Sequence, residues 1–289
     1  MYFVKISYFY EMQTKIEIQI SKLRERFYLA SKNKESLLSL INNSEVSEQV
    51  FNSNAIENST LSLDETEKIL LQIDLDRYIS ERELFETKNL ARVVNYINIK
   101  AKDKALNFDV ILFLHQMLLS NIRDDIAGRF RNETEWVKIG NYIALNPNLI
   151  EDALTDMLLN YHAKPTISII KKIATLHLTF EHIHPFVDGN GRIGRILNNY
   201  ILIREGYVPI NIKYIDRTEY YNAFNEFDSF GKTKIMENIV TKALTNSYHK
   251  RLAYLEDKKI ISLSEYAKQE KLSHSNLINK ENDKLSKLF

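Results

Sequence analysis

Cysteine is absent from all 289 residues, which excludes disulfides, thiolate metal sites and cysteine nucleophiles and fits a reducing, cytoplasmic setting. Glycine and proline are scarce, at 7 and 4, so turns are few and long helices are expected. No run approaches the ~18 apolar residues of a membrane span. Lys5, Glu11 and Lys15 interrupt the aromatic start at Tyr2, Phe3, Phe9 and Tyr10, so neither an export signal nor a membrane partner is expected. The formal net charge is +1, without the basic excess of a nucleic-acid reader, and nucleic acid is not an expected partner. What remains, 44% apolar and 27% charged residues, is the composition of a globular protein.

Apolar residues recur at helical spacing in the N-terminal region, as at Ile16, Ile20, Leu23 and Phe27. Ser62-Leu63-Asp64-Glu65 has the spacing of a capping box and predicts a helix start. Further helices are expected over 81–100, 109–121 and 152–160, and a buried central helix carries Ile170, Ile173, Leu176, Phe180 and Ile183. The exception is the segment from Gly128 to Pro147. There Trp136-Val137-Lys138-Ile139 and Tyr142-Ile143-Ala144-Leu145 flank Gly140-Asn141, two residues that accept positive φ, which predicts a β-hairpin. The fold class expected is therefore all-α with one hairpin.

Directly after the central helix comes His184-Pro185-Phe186-Val187-Asp188-Gly189-Asn190-Gly191-Arg192-Ile193-Gly194-Arg195. Gly189, Asn190 and Gly191 adopt the backbone angles that turn successive N–H groups inward, and the following helix adds its positive end, so the loop suits a phosphate. Arg192 and Arg195 lie three residues apart and are placed to clamp a polyphosphate, where a ligand anion would offset their unfavourable position at a helix N-terminus. Asp188 is the candidate Mg²⁺ ligand, since this ion takes one or two carboxylates together with phosphate oxygens. His184 is the natural general base because imidazole titrates near neutrality. Packing would explain any one of these features, but hardly all of them within twelve positions.

The segment resembles the Fic signature HPFx(D/E)GNGRxxR at every fixed position, and the resemblance extends over about 52–243, including Gly128 to Arg131, Arg204 to Tyr207 and the pair Tyr220-Tyr221. It implies an enzyme moving AMP from ATP, with Mg²⁺, to a Tyr, Ser or Thr hydroxyl of a target protein and releasing pyrophosphate. In that scheme His184 deprotonates the hydroxyl and Asp188 holds Mg²⁺. Asn190 and the Gly189 and Gly191 amides orient the α-phosphate, Arg192 and Arg195 bind the distal phosphates, and Tyr221 touches adenine. The hairpin, Val137 to Tyr142 through Lys138, Ile139, Gly140 and Asn141, is the flap that docks the target by main-chain pairing, a use that an exposed hairpin edge permits on physical grounds as well.

A second string, Ser53-Asn54-Ala55-Ile56-Glu57-Asn58, continues a helix that Asn58 ends in the left-handed conformation. Glu57 then opposes its own helix dipole and calls for a cation, for which a guanidinium is the obvious candidate. The string resembles the family's inhibitory motif (S/T)xxxE(G/N). That resemblance implies that Glu57 pairs with Arg195 in the place of the γ-phosphate; in some relatives the same glutamate helps remove AMP, which leaves reversal of the modification open here, and self-modification is the default readout of transfer. A homodimer is in keeping with the family. The expected segments are 1–80 with the inhibitory motif, a catalytic core over 81–245, and an appendage over 246–289 with a helix-turn-helix-like pattern at 263–280. The alternatives are transfer from another phosphate donor, or a nucleotide-binding regulator acting through the tail.

Overall fold

The computed structural model describes residues 4–139, 142–163 and 167–257 and the single positions 268 and 273, with side chains from residue 15 on. Helices dominate: α1 (Val4–Ser31), α2 (Glu35–Ile56), α3 (Leu63–Leu70), α4 (Glu81–Lys100), α5 (Phe108–Leu119), α6 (Ile150–Ala163), α7 (Ile169–Ile183), α8 (Asn190–Arg204), α9 (Arg217–Phe230) and α10 (Lys234–Leu255). Strands β1 (Lys138–Ile139) and β2 (Tyr142–Ile143) form the hairpin, pairing antiparallel with Lys138 opposite Ile143 and Ile139 opposite Tyr142. Among the described residues no helix is long and apolar enough to cross a membrane.

The described residues divide into two compact units, 42–244 and a unit that joins 4–41 with 245–257. This differs from the segments expected from sequence, because residues 42–80 go with the core and the two ends go together. The reason lies in α2, whose second half buries Val46, Val50 and Ile56 and so belongs to the larger core. In the smaller unit Phe27 meets Tyr248 edge-on at 5.7 Å, and Arg26 Nε donates to Glu256 at 2.6 Å. The helix-turn-helix-like pattern falls outside the described residues apart from 268 and 273, as do Gly140 and Asn141 of the hairpin.

In the larger unit α7 and α8 are the central pair. Every residue of α8 from Arg192 to Ile203 is buried, so this helix is enclosed on all sides instead of carrying one apolar stripe. It is flanked by α4, α5 and α7, and α7 in turn packs on α6 and α9. Local signals set the helix ends. Ser62 accepts from Glu65 N while the Glu65 side chain returns to the Ser62 N–H, the expected capping box. Gly206, at φ 76°, ends α8.

Arg131 fixes the base of the hairpin to the central pair. Only 3% exposed, it donates to the carbonyls of His184 (2.8 Å), Glu135 (2.9 Å) and Leu145 (2.8 Å). Arg131→Ala strips three part-buried carbonyls of a charged donor, and the expected loss is about 3 kcal/mol in urea unfolding. Arg123→Ala, which removes an exposed pair with Asp125, should cost less than about 1 kcal/mol. Equal losses would contradict this role for Arg131.

Titratable groups in the same core give stability a pH dependence. Burial lowers His115 to about 4, His177 to about 3 and His184 to about 4, from 6.5. The unfolded chain therefore binds more protons below pH 6.5, and stability falls as pH drops through that window. Burial raises Glu181 from 4.5 to about 8, so the folded chain keeps a proton that the unfolded chain has lost, and stability falls as pH rises between those values. Three groups act against one below 6.5 and Glu181 acts alone above it. Unfolding free energy should therefore peak near pH 6.5, and Glu181→Gln should flatten the decline toward pH 8. A flat profile in urea titrations from pH 4.5 to 8 would refute both assignments.

Candidate active site

The loop between α7 and α8 brings the sequence-predicted residues to one place. Helix α7 ends at His184, which is left-handed at φ 51° and ψ 62°, a conformation uncommon for a residue with a Cβ. Main-chain bonds hold it: His184 N donates to Phe180 O at 2.9 Å, and Arg131 N donates to Pro185 O at 2.9 Å. Phe186 is fully buried and stacks on His115 with ring centroids 3.7 Å apart. Gly128 N donates to His115 Nδ1 at 3.0 Å, so Nε2 carries the proton and donates to Asp188 O at 3.0 Å. The loop therefore rests on a histidine that no sequence motif singles out.

Gly189, at φ 83°, turns the chain into α8. Asn190 has its carboxamide engaged within the loop, accepting from Phe186 N at 2.9 Å and donating to Phe186 O at 2.8 Å. Its side chain thus shapes the loop, whereas the resemblance assigned it to a phosphate. At Gly191 a Cβ would lie 2.3 Å from Glu57 Oε1 and 3.2 Å from Arg195 Nη1, so the Glu57 carboxylate sits directly against the first turn of α8. An anion is favoured at this positive helix end.

Arg195 is 7% exposed and bonded through all three guanidinium nitrogens. It donates to Ser53 Oγ (3.0 Å), Ser53 O (2.9 Å), Tyr220 Oη (3.1 Å) and Glu57 Oε1 (2.8 Å). The Glu57–Arg195 pair expected from the inhibitory string is present, and Asn58 ends α2 at φ 69° as expected. Tyr221, implied to touch adenine, donates from Oη to Ile56 O at 3.2 Å and lies under Arg217, so it borders the same end of α2.

Arg192 does not join Arg195 in a clamp. It pairs with Glu86 (3.0 Å) and Asp188 (3.2 Å), while Arg82 also reaches Asp188 (2.8 Å) and Glu86 (3.1 Å). Burial pushes the Asp188 carboxyl up, but Arg192 and Arg82 outweigh it and hold the pKa below the usual value. Glu57, Arg82, His184, Asp188, Gly191 and Arg192 line a cavity of about 210 Å³. Among the described residues no group of three or more His, Asp or Glu converges as a preformed metal cage. His184 Nδ1 faces Glu181 O at 3.3 Å, which leaves Nε2 as the basic nitrogen. Its pKa of about 4, lowered chiefly by burial, keeps the ring neutral at physiological pH.

Sequence reasoning missed His115, Arg131, Glu181 and the α4 pair Arg82 and Glu86. Arg131 alone carried a signal, as part of the Gly128 to Arg131 approach. On the hairpin, Ala144 N donates to Val137 O at 2.9 Å beyond the two-residue strands, and the Tyr142 ring stacks on His182 at 6.1 Å.

The Fic/DOC family model matches residues 105–202. Over 177 residues, 60% of this chain, the sequence is 33% identical to the protein adenylyltransferase fic-1 of Caenorhabditis elegans. Over 184 residues it is 31% identical to the protein adenylyltransferase Fic of Nematostella vectensis. The chain spans 34% and 42% of the lengths of those relatives. A solved structure of Fic-1 from C. elegans superposes with TM-score 0.74 at 26% identity, covering 86% of this chain and 73% of that one. A Fic domain containing signaling protein from Bacteroides thetaiotaomicron shares the fold, with TM-score 0.76 at 22% identity over 84% of this chain and 98% of that one. The loop from His184 to Arg195 lies inside the segment that the Fic/DOC family model matches.

Proposed function

We propose that this chain is a protein adenylyltransferase that transfers AMP from ATP to a hydroxyl of a target protein and is restrained by its own Glu57. The observation that carries the reading is the Glu57 carboxylate seated on the first turn of α8 and bonded to Arg195 at 2.8 Å, beside a neutral His184. A site built for an anion, with a base next to it, suits transfer of a phosphoryl-linked group. The names of the relatives support the nucleotide and the protein acceptor.

The target hydroxyl loses its proton to His184 Nε2, and its oxygen attacks the α-phosphorus of ATP. The bond to the β-phosphate oxygen breaks, pyrophosphate departs, and AMP remains on the target as a phosphodiester. The α8 N-terminus and the Gly189 and Gly191 amides face the phosphates, and Arg195 takes the distal charge once Glu57 yields. Asp188, with Glu86 nearby, fits Mg²⁺, which needs one or two carboxylates beside phosphate oxygens. When bound, that ion neutralises developing charge on the leaving pyrophosphate.

The cavity of about 210 Å³ is smaller than the roughly 300–1,000 Å³ of sites that enclose ligands of this class. With Glu57 seated, the triphosphate has no place for its last phosphate, which is the basis of the restraint. The hairpin offers its edge to an extended target segment.

Transfer of label from α-labelled ATP with Mg²⁺, read by self-modification, tests the reading. Glu57→Gly should raise transfer at least about 10-fold over the native chain. Adding His184→Ala should remove about 10²–10⁴-fold of that activity, the usual contribution of a general base. If ATP binds and no variant transfers label, adenylyl transfer is wrong and other donors are the next candidates.

A further inference from the structure

Glu181 lies one turn before His184 on α7 and takes no part in the chemistry described so far. Its side chain is 11% exposed, and Oε1 is enclosed without a hydrogen-bond partner. A buried polar atom left unpaired at the edge of an active site is costly, and such atoms mark functional groups more often than chance. The neighbouring helix makes room for it: a Cβ on Gly194 would lie 2.5 Å from Glu181 Oε1 and 2.9 Å from His177 Nδ1, which is also unpartnered. Oε2 is 3.9 Å from His184 Nδ1, and the Glu181 main-chain oxygen is 3.3 Å from that same nitrogen. One residue therefore presents two oxygens to the nitrogen opposite the one that works as base.

We propose that Glu181 is the positioning residue of His184: it orients the ring through Nδ1, and once Glu57 has left and Glu181 has lost its proton, its carboxylate stabilises the imidazolium formed when Nε2 accepts the proton of the target hydroxyl. This rests on the adenylyl-transfer reading for its kinetic part only. The groups that face Glu181 are Glu57 from the end of α2, Arg195 from α8, His177 and His184 from α7 and its end, Tyr220 from α9 and Tyr142 from β2. Burial and then the charge of Glu57 keep Glu181 protonated up to about 8, and Arg195 opposes them. Because Glu57 is the only acid in that set, the proton on Glu181 is coupled to the restraint. Removing Glu57 lowers the pH at which the carboxylate forms.

Nitrogen NMR of histidine-labelled full-length protein tests the proposal, with the His184 signals identified by their loss in His184→Ala. In the native chain the His184 shifts should pass through an inflection near pH 8. Glu181→Gln, which keeps size and shape, should abolish it, and Glu57→Gly should move it to lower pH. An inflection that is absent from the native chain, survives Glu181→Gln, or stays put in Glu57→Gly overturns the proposal. Should Glu181→Gln misfold, comparing the native chain with Glu57→Gly still separates the two outcomes. In the Glu57→Gly background, Glu181→Gln should lower kcat about 10-fold and flatten its pH profile while KM for ATP is unchanged. An unaltered kcat and profile also overturn it. If Glu57→Gly transfers nothing, adenylyl transfer fails as a reading, and the NMR outcome still judges Glu181.

Discussion

The charge on Arg195 organises the site. A guanidinium that is 7% exposed has left bulk water, and the loss is tolerable only when its donors are matched. Two of the four matches come from Ser53 and one each from Tyr220 and Glu57, so the end of α2 and the face of α9 must both approach α8. Asn58 turns left-handed where α2 has to stop, and Gly191 is glycine because the Glu57 carboxylate occupies the space of its Cβ. An arginine so placed always requires an anion. The fold supplies one from its own chain, and any ligand that enters must supply another.

Glu57 feels two helix ends at once. It lies just past the C-terminus of α2, whose dipole repels it, and against the N-terminus of α8, whose dipole attracts it. Each effect is worth roughly 0.3–1 kcal/mol, so they nearly cancel. The ion pair with Arg195 decides where the carboxylate rests. That pair is asymmetric, since the Arg195 side chain is 8% exposed and that of Glu57 37%. Water reaches the acid but barely reaches the arginine. On the proposed reading, a restraint built this way is fixed on the side of Arg195 and replaceable on the side of Glu57, which suits displacement by an anion of higher charge.

The parts of this structure that were legible in the sequence are those whose chemistry is local. The Ser62 capping box, the span of α4, the Gly206 stop and the His184 to Arg195 loop each depend on residues a few positions apart. The parts that were not legible depend on residues brought together from afar. His115 supports Asp188 from 73 positions away, Arg131 holds the His184 carbonyl from 53, and Arg82 reaches Asp188 from 106. His115 and Arg82 do not disturb the helical period around them, and Arg131 sits in an irregular segment with no period to read. The spacing of Arg192 and Arg195 places both on one face, yet spacing says nothing of partners. The Glu86 and Asp188 carboxylates draw Arg192 one way, and Ser53 and Tyr220 draw Arg195 another.

His184 and the anion site are closely related because both belong to one continuous stretch of chain. His184 ends α7, Gly191 and Arg195 open α8, and six residues join them. That connection is braced from within by the Asn190 carboxamide, from below by His115 and from the hairpin side by Arg131. A base held in a left-handed conformation by such neighbours cannot drift without breaking several buried bonds at once. On the proposed reading, release of the enzyme then requires no rearrangement of the catalytic pair. It requires one half-exposed carboxylate to leave a place that is already shaped, charged and aligned for a phosphate.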